Sequence, residues 1–287
     1  MTVVKKLKKS KHSAVKKKSP VIRSRKKIST DIYTPSGSLS DYAILIYGRE
    51  GIGKTTLLSQ FMKVYFLMFE NNKSFKVRMD LVSNWDDFLD FQYDLINSEY
   101  DFKGISIDGV KAAYEQSMLY SCKKYGIDHP GAMNDRGDSW NKVKKEFINP
   151  MRELSNSKYG FLASCHATEK EIIRVDGFKY NMIAPDLSKQ AYEFFVGEID
   201  NVFYYFYEDN QRWLQITGDE HIVAKNRMDE NFITTNGEKI FKIPMGNNKK
   251  ESFKNLMKAF NNEQEKPYLP EIKSHVVKKK KKNKERR

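Results

Sequence analysis

This chain is constrained most by one stretch of eight residues, Gly48-Arg49-Glu50-Gly51-Ile52-Gly53-Lys54-Thr55. The stretch matches the pattern G-x-x-x-x-G-K-[ST] at every fixed position. The apolar run before it, residues 42–47, is typical of a buried parallel strand, and residues 56–62 after it place apolar side chains at helical spacing. The order of strand, glycine-rich loop and helix predicts a phosphate-binding P-loop rather than a chance glycine turn.

The chemistry of a P-loop gives each residue type a task. Glycines let the backbone curve around phosphates, so that N–H groups and the helix N-terminus point at them. We expect Lys54 to contact the β- and γ-phosphates of ATP and the hydroxyl of Thr55 to hold Mg²⁺. The predicted nucleotide-binding residues are Gly48, Arg49, Glu50, Gly51, Ile52, Gly53, Lys54, Thr55 and Thr56.

The positive charge of the chain is concentrated at its two ends. The formal net charge is +14, and residues 1–27 hold twelve Lys and Arg without any acid. Residues 273–287 hold nine Lys and Arg and one acid, whereas residues 28–272 hold 30 basic and 36 acidic residues. Lysine arms release counterions from phosphates, so they predict salt-sensitive nucleic-acid binding without sequence preference. A solubilising or nuclear-localising tail is the alternative.

The sequence also bears on location. No apolar run approaches the ~20 residues of a membrane span, and the basic N-terminus is not followed by the apolar core of an export signal. Cys122 and Cys165 have no C-x-x-C partner and are expected to be thiols in a reducing compartment. These features predict a cytoplasmic protein with no membrane partner. An abundance of Lys and Asn is compatible with a bacterium or a phage-infected cell as the source.

Strands alternate with helices along the middle of the chain. Strands are predicted over 42–47, 64–69, 77–80, 102–109, 159–166, 202–207 and 213–216, with a hairpin over 172–183 that turns at Asp176-Gly177. Helices are predicted over 56–62, from 84 onward, and over 110–125, 138–156, 187–197 and 250–261. The helix from 84 is expected to be capped by Ser83 or Asn84, and the helix over 138–156 by Asp138 or Ser139. This order predicts an α/β fold with a mainly parallel sheet flanked by helices, whose strand-ending polar residues collect at one edge.

Hydrolysis needs more than a phosphate cradle, and four polar residues close predicted strands. Asp108 is the expected second anchor for Mg²⁺, with a helix N-cap as the alternative. Glu70 is the candidate general base; Asp80 is a rival, and an ordinary turn acid is the alternative. His166 is placed to contact the γ-phosphate or the attacking water, unless it is a structural histidine.

These elements, in this order, resemble a RecA-like core. The match over residues 42–230 is similar to the phage nucleotide-binding ATPases of the Sak single-strand-annealing group, and rests on GREGIGKTTL, the strand ending in Glu70, ISID, LASCH and KNR. The resemblance implies ATP binding by the P-loop, Asp108 on Mg²⁺, Glu70 as general base and His166 as sensor of the nucleotide state.

Lys225-Asn226-Arg227 resembles the K-N-R element of RadA-type relatives, in which two basic side chains act on the nucleotide of a neighbouring subunit. The resemblance therefore implies catalytic roles for Lys225 and Arg227 and a homo-oligomeric ring or filament. Solvated surface residues are the alternative. RecA carries glycine-rich DNA-binding loops after two of its strands. Residues 128–138 and 168–182 lie in plausible places for such loops, but the sequence does not identify equivalents, so annealing or DNA-stimulated ATP hydrolysis is better supported than strand exchange.

Taken together, the expected organisation is a disordered basic arm over 1–33, a RecA-like ATPase core over 34–245, a helical segment over 246–272 and a disordered basic tail over 273–287. The expected function is a P-loop ATPase that binds single-stranded DNA in recombination, repair or replication, including single-strand annealing. The alternative is a nucleotide-gated scaffold that loads a helicase or packaging partner and turns over little ATP.

Overall fold

The computed structural model describes residues 30–32, 34–71 and 75–269. The expected basic tail and nearly all of the expected basic arm therefore lie outside the described residues. The chain divides into two compact units between Pro35 and Ser36. The first unit has no helix or strand among its described residues, and all the elements below belong to the second.

The described elements alternate in type along the chain. The strands are β1 Ile44–Gly48, β2 Val64–Met68, β3 Arg78–Leu81, β4 Gly104–Asp108, β5 Gly160–Ile173, β6 Lys179–Pro185, β7 Asn201–Glu208, β8 Gln211–Gln215 and β9 Lys242–Pro244. The helices are α1 Lys54–Leu58, α2 Trp85–Asn97, α3 Val110–Tyr125, α4 Asp138–Ser155, α5 Lys189–Tyr192, which continues as a π-helix over Glu193–Glu198, and α6 Lys249–Phe260.

The described strands form one mixed sheet in the order β3-β2-β4-β5-β1-β7-β8-β9, with β6 paired to β5. All neighbours from β3 to β7 run parallel, and β8 and β9 extend the sheet in antiparallel fashion. The strands that end in the P-loop (β1) and in Asp108 (β4) both flank β5. Their carboxyl ends therefore meet at one edge of the sheet, where ligands of open α/β sheets bind.

Two apolar layers hold the sheet between helices. Because successive side chains of a strand point to opposite faces, Leu45 and Tyr47 of β1 pack on one layer, while Ile44 and Ile46 pack on the other. The first layer contains α2, α3, α4 and α5, and the second contains α1 and α6. Each fully buried aromatic side chain, such as Phe147, contributes about 2 kcal/mol to the free energy of unfolding.

The predicted α/β class with a mainly parallel sheet is confirmed, and the predicted elements are present with shifted ends. The strand predicted over 159–166 instead runs on to Ile173, because it continues into the first arm of the hairpin with β6. The predicted helix over 187–197 is a short α-helix followed by a π-helix. β9 was not predicted, since its three residues are too few for an alternating pattern.

Helix N-termini show how local chemistry overrides a sequence rule. The predicted cap of α2 is correct, because the Asn84 side chain accepts a hydrogen bond from the Asp87 N–H. The predicted caps of α4, Asp138 and Ser139, are wrong. Gly137 occupies the capping position in a left-handed conformation, and Asp135 accepts hydrogen bonds from the N–H groups of Gly137 and Ser139.

Within the described part of the chain, none of the helices is both long and apolar enough to cross a membrane. Cys122 and Cys165 are free thiols; Cys165 is fully buried and Cys122 is half-buried.

Candidate functional site

The loop between β1 and α1 has a backbone that only glycine adopts without strain. Gly51 and Gly53 have φ values of 72° and 106°, in the left-handed region where a Cβ atom is disfavoured. Gly48 is constrained differently, because a Cβ there would lie 2.2 Å from the carbonyl oxygen of Tyr205 on the neighbouring strand β7. The three glycines therefore leave a backbone cradle at the N-terminus of α1, which is the arrangement that binds phosphate groups.

Lys54 is held beneath this cradle. Its side chain is buried, and its Nζ donates hydrogen bonds to the carbonyl oxygens of Gly48, at 3.1 Å, and Arg49, at 3.2 Å. Burial lowers the pKa of this ammonium group, and the carboxylates of Asp108 and Glu70 oppose that shift in part. A phosphate in the cradle would supply the negative charge that a buried ammonium needs.

The Asp108 carboxylate is buried and engaged on both oxygens. The hydroxyl of Thr55 donates to its Oδ2 at 2.8 Å, and the hydroxyl of Ser164 donates to its Oδ1. The structure thus joins the P-loop threonine to the end of β4, as predicted for a shared Mg²⁺ site. Ser164 was missed by the sequence reasoning, because the strand register that pairs it with Asp108 cannot be read from the LASCH segment alone.

Glu70 and His166 face each other across the cleft. Glu70 Oε1 lies 3.6 Å from His166 Nε2. Glu70 follows strand β2, and His166 is part of strand β5. Gly109 makes room for this pair, since a Cβ at that position would lie 2.8 Å from the Glu70 Cγ. The carboxylate and the imidazole are thereby held next to Asp108 at the carboxyl edge of the sheet.

These side chains line one open cleft of about 310 Å³. Most of the predicted site residues meet in it, namely Glu50, Gly51, Gly53, Lys54, Thr55, Thr56, Glu70, Asp108 and His166. The predicted residues Gly48, Arg49 and Ile52 belong to the same segment but do not line the cleft; Ile52 is buried in the core. Phe75, Ser164 and Cys165 complete the wall and had not been predicted to do so.

Asp80, the rival for the role of general base, is not among the residues that line the cleft. It lies on the edge strand β3, where its carboxylate accepts a hydrogen bond from the hydroxyl of Tyr65. Glu70 therefore differs from Asp80 in one respect that bears on catalysis, which is access to the space beside Lys54 and Asp108.

Lys225 and Arg227 lie elsewhere. Their side chains donate hydrogen bonds to the carbonyl oxygens of residues 196–198, at the C-terminal end of the π-helix. Cations are favoured at a helix C-terminus. Burial lowers the pKa of Lys225 to about 8, and the nearby charge of Arg227 adds to the shift. Neither side chain lines the P-loop cleft of its own chain, so the predicted action on a neighbouring subunit's nucleotide stays a prediction.

The residues present fit a nucleotide with Mg²⁺. Asp108 is a single buried carboxylate beside the Thr55 hydroxyl, and Mg²⁺ is commonly held by one or two carboxylates together with substrate phosphates. Across the described residues no cluster of three or more His, Cys, Asp or Glu side chains could hold a metal by itself. The donor set thus suits a cation that arrives with phosphate oxygens.

One protein family matches most of this chain. The family model AAA_24, described as an AAA domain, matches residues 40–228. Among solved structures, the chain is similar to the crystal structure of a KaiC-like protein from the hyperthermophilic archaeon Pyrococcus horikoshii, with 16% identity over 72% of this chain and 87% of that chain, and a TM-score of 0.41. No curated protein matches the chain. Because the family match covers well over half of the sequence and includes the whole P-loop cleft, the chain belongs to the AAA domain family and carries a nucleotide-binding P-loop ATPase domain.

Proposed function

We propose that this protein hydrolyses ATP with Mg²⁺, binds single-stranded DNA and acts as an oligomer in recombination, repair or replication, including single-strand annealing. The observation that carries the hydrolytic part is the cleft itself. Glu70 and His166 stand within 3.6 Å of each other in the same cleft as Lys54, Thr55 and Asp108. A cradle that only binds nucleotide has no need of a carboxylate and an imidazole at that place.

The side chains divide the work of phosphoryl transfer to water. Lys54 and the P-loop N–H groups bind the β- and γ-phosphates, and Thr55 and Asp108 hold Mg²⁺, which would neutralise charge on those phosphates. Glu70 orients the attacking water and accepts its proton, as a carboxylate within hydrogen-bond reach can do. His166, in contact range of Glu70, reports the state of the γ-phosphate to the hairpin that continues from β5.

The proposed oligomerisation is supported by the position of the two remaining predicted catalytic residues. Lys225 and Arg227 do not line the cleft of their own chain, but their cationic side chains suit the charge of a transferring phosphoryl group. In the proposed assembly they contact the nucleotide of a neighbouring subunit, so that hydrolysis occurs between subunits of a ring or filament.

The charge distribution supports DNA as the partner. The basic ends, residues 1–27 and 273–287, lie outside the described residues but carry most of the excess positive charge. They contain no aromatic residue, so their contribution is phosphate neutralisation rather than base stacking.

A groove on the described unit would provide the aromatic contact to DNA bases that the basic ends lack. It has a volume of about 470 Å³ and lies between the N-terminal part of α4 and the start of α5. Its basic side chains are Arg136, Lys144 and Lys189, of which Lys144 pairs with Glu193. Trp140 lines the same groove. A half-buried indole beside uncompensated cations is the combination that binds single strands by stacking and charge together.

The proposal is tested by steady-state ATP hydrolysis with and without single-stranded DNA, at low and at moderate salt. The wild type is compared with Lys54→Ala, with Trp140→Ala and with a variant that lacks residues 1–27 and 273–287. We expect DNA to stimulate hydrolysis by the wild type, Lys54→Ala to abolish hydrolysis, and the other two variants to lose most of the stimulation while keeping basal turnover.

Two controls make the result specific. Tyr125→Ala removes an exposed aromatic side chain at the end of α3 that does not line the groove, so it should leave DNA stimulation unchanged. Higher salt should weaken stimulation in the wild type more than in the variant without the basic ends. An ATP hydrolysis rate that is the same with and without DNA in every protein tested would contradict the proposal and favour the nucleotide-gated scaffold.

A further inference from the structure

A second cavity lies on the opposite side of the P-loop from Asp108. Its volume is about 210 Å³, and Gly51, Gly53 and Thr56 line it as well as the first cleft. The rest of its wall comes from the P-loop and α1, with Ile52 and Leu57, from β7 and β8, with Tyr205 and Arg212, and from residues 247–252 at the start of α6. The two cavities are therefore adjacent and separated by the phosphate cradle alone.

The direction of a bound nucleotide is set by the first cleft. Asp108 and Glu70 lie at the end of the site that would hold the γ-phosphate. The α-phosphate, with the ribose and base attached to it, would therefore extend from the opposite side of the cradle. Thr56 stands at that exit, one residue after the Mg²⁺-binding Thr55. The second cavity is the space into which the exit opens.

The Arg212 side chain suits this cavity to a flat, polar group. The Arg212 guanidinium lies 5.3 Å from the Tyr207 ring centroid, and its Nη1 donates to the carbonyl oxygen of Asn247 at 3.2 Å. These two contacts orient the guanidinium plane. A planar guanidinium can stack on a flat ring and donate hydrogen bonds to its polar edge.

The α6 N-terminus does not make this cavity an anion site. Asn248 Oδ1 already accepts hydrogen bonds from the N–H groups of Lys250 and Glu251, at 3.1 and 3.0 Å. The Glu251 carboxylate, in the first turn, accepts a further hydrogen bond from the Asn247 N–H at 2.9 Å. The free N–H groups and the positive helix end that an anion would use are thus already occupied.

We propose that this second cavity holds the nucleoside part of the nucleotide, its base and ribose, and that Arg212 is a binding residue for it. The inference rests on the nucleotide-binding part of the proposed function. It also gives α6 a role, because residues 247–252 lie beyond the part of the chain that matches the AAA domain family. The C-terminal helix is then part of the nucleotide site rather than an appendage.

The experiment separates the nucleoside from the phosphates by comparing two ligands. Calorimetry with Mg²⁺ and without DNA measures the affinity of the full chain for ATP and for inorganic tripolyphosphate, which has no base or ribose. We expect Arg212→Ala to weaken ATP binding about tenfold, because a stacking or hydrogen-bonding guanidinium contact is lost. The affinity for tripolyphosphate should stay the same.

Three further variants interpret the outcome. Arg212→Lys keeps the charge but loses the planar donor group, so it should be as defective for ATP as Arg212→Ala. Lys254→Ala removes an exposed charge of α6 that does not line the cavity, and it should change neither affinity. Lys54→Ala should weaken both ligands, since it removes a phosphate contact; if it weakens neither, nucleotide binding by the P-loop is itself refuted.

Two results would overturn the assignment of the second cavity. Equal losses for ATP and tripolyphosphate in Arg212→Ala, with an unchanged melting temperature, would make Arg212 a phosphate-binding residue. Rescue of ATP affinity by Arg212→Lys would show that only its charge matters. Neither result would touch the proposed hydrolysis or DNA binding, which depend on other residues.

Discussion

The two sides of the P-loop are built in different ways. On the hydrolytic side, Asp108, Glu70 and His166 stand at or near the carboxyl ends of parallel strands that lie close together in the sheet. On the other side, the wall is formed by Arg212 on an antiparallel strand and by the start of α6, about 35 residues further along the chain. One side follows from sheet topology, and the other depends on how a late helix packs back.

This difference explains which residues act together. Carboxyl ends of adjacent parallel strands meet at one edge whatever their connections are, so polar residues there converge by construction. The sheet topology does not by itself bring Arg212 and Asn247 together. They meet because α6 buries Leu256 and Phe260 in the apolar layer beneath α1, which brings its first turn against the P-loop. We therefore expect substitutions on the two sides to separate hydrolysis from nucleotide binding.

The largest effect should come from the hydrolytic side. Glu70→Gln keeps the shape of the side chain but removes the proposed general base. We therefore expect turnover to fall about 10³-fold with little change in ATP affinity. Single-turnover hydrolysis and ATP binding measured on the same preparation check this.

Asp80→Asn is the matched control for Glu70→Gln. It makes the same chemical change on the neighbouring edge strand, where the carboxylate bonds to Tyr65 instead of lining the cleft. Turnover close to wild type is expected. A large loss in Asp80→Asn together with near-normal turnover in Glu70→Gln would reverse the two assignments.

A smaller effect should come from the residues outside both cavities. Arg227→Ala removes a cation proposed to act on the neighbouring subunit, and the loss of one such transition-state contact costs about 10² in turnover. Mixing Arg227→Ala with Lys54→Ala should restore activity, because an interface between the two variants contains one intact P-loop and one intact arginine. The readout is hydrolysis as a function of the mixing ratio.

The control mixture combines Lys54→Ala with Glu70→Gln. Both residues belong to one cleft of one chain, so no mixed interface contains both, and activity should stay low at every ratio. Recovery in this control, or its absence in the Arg227→Ala mixture, would place Arg227 outside the catalytic interface.

Ser164 offers a subtler test of the hydrolytic side. Its hydroxyl is one of two that fix the Asp108 carboxylate, and losing a hydrogen bond to a charged group costs about 1.5 kcal/mol, or about tenfold. Ser164→Ala should therefore lower turnover at limiting Mg²⁺ and recover at high Mg²⁺, since the carboxylate is misplaced rather than removed.

Ser106→Ala is the matched control. Ser106 is equally buried on the neighbouring strand β4, but its hydroxyl has no hydrogen-bond partner among the described residues. Its loss should leave the Mg²⁺ requirement unchanged. A flat Mg²⁺ response in both variants would mean that Ser164 is a packing residue only.

The sequence could predict which strand ends meet at the P-loop cleft, because each of the signals is local. A P-loop pattern and apolar runs that end in Glu70, Asp108 or His166 identify strand ends without knowledge of the fold. Ser164 escaped because its partner is set by strand register, which pairs it with Asp108. Arg212 was not predicted, because no motif near it in the sequence indicates a binding site. It lies beside the P-loop only through the packing of α6.

Irregular backbone structure is the second feature that could not be predicted from the sequence. The segment over 187–197 has helical spacing, but a π-helix forms after Tyr192, with Phe194 and Phe195 buried in the apolar layer. Such a widened turn is decided by tertiary packing and not by propensity. Its free carbonyl groups are what Lys225 and Arg227 bind, so their resting position could not be predicted either.

That resting position gives the smallest expected effect, a pH dependence of stability. The pKa of Lys225 is lowered to about 8 in the folded chain, against 10.5 for a free lysine. Between these values the unfolded chain holds one more proton, so the free energy of unfolding rises with pH. Because the side chain is partly exposed, screening reduces the effect, and we expect about 2 °C in melting temperature.

Melting temperatures of the wild type and Lys225→Met, compared at pH 7.5 and pH 10, isolate this contribution, since other groups titrate alike in both proteins. The wild type should gain relative to the variant as the pH rises. Lys254→Met, which removes an exposed lysine of α6, should show a constant difference from the wild type. A constant difference for Lys225→Met as well would mean that its ammonium is solvated and free to leave the π-helix, which would favour its proposed transfer to a neighbouring subunit.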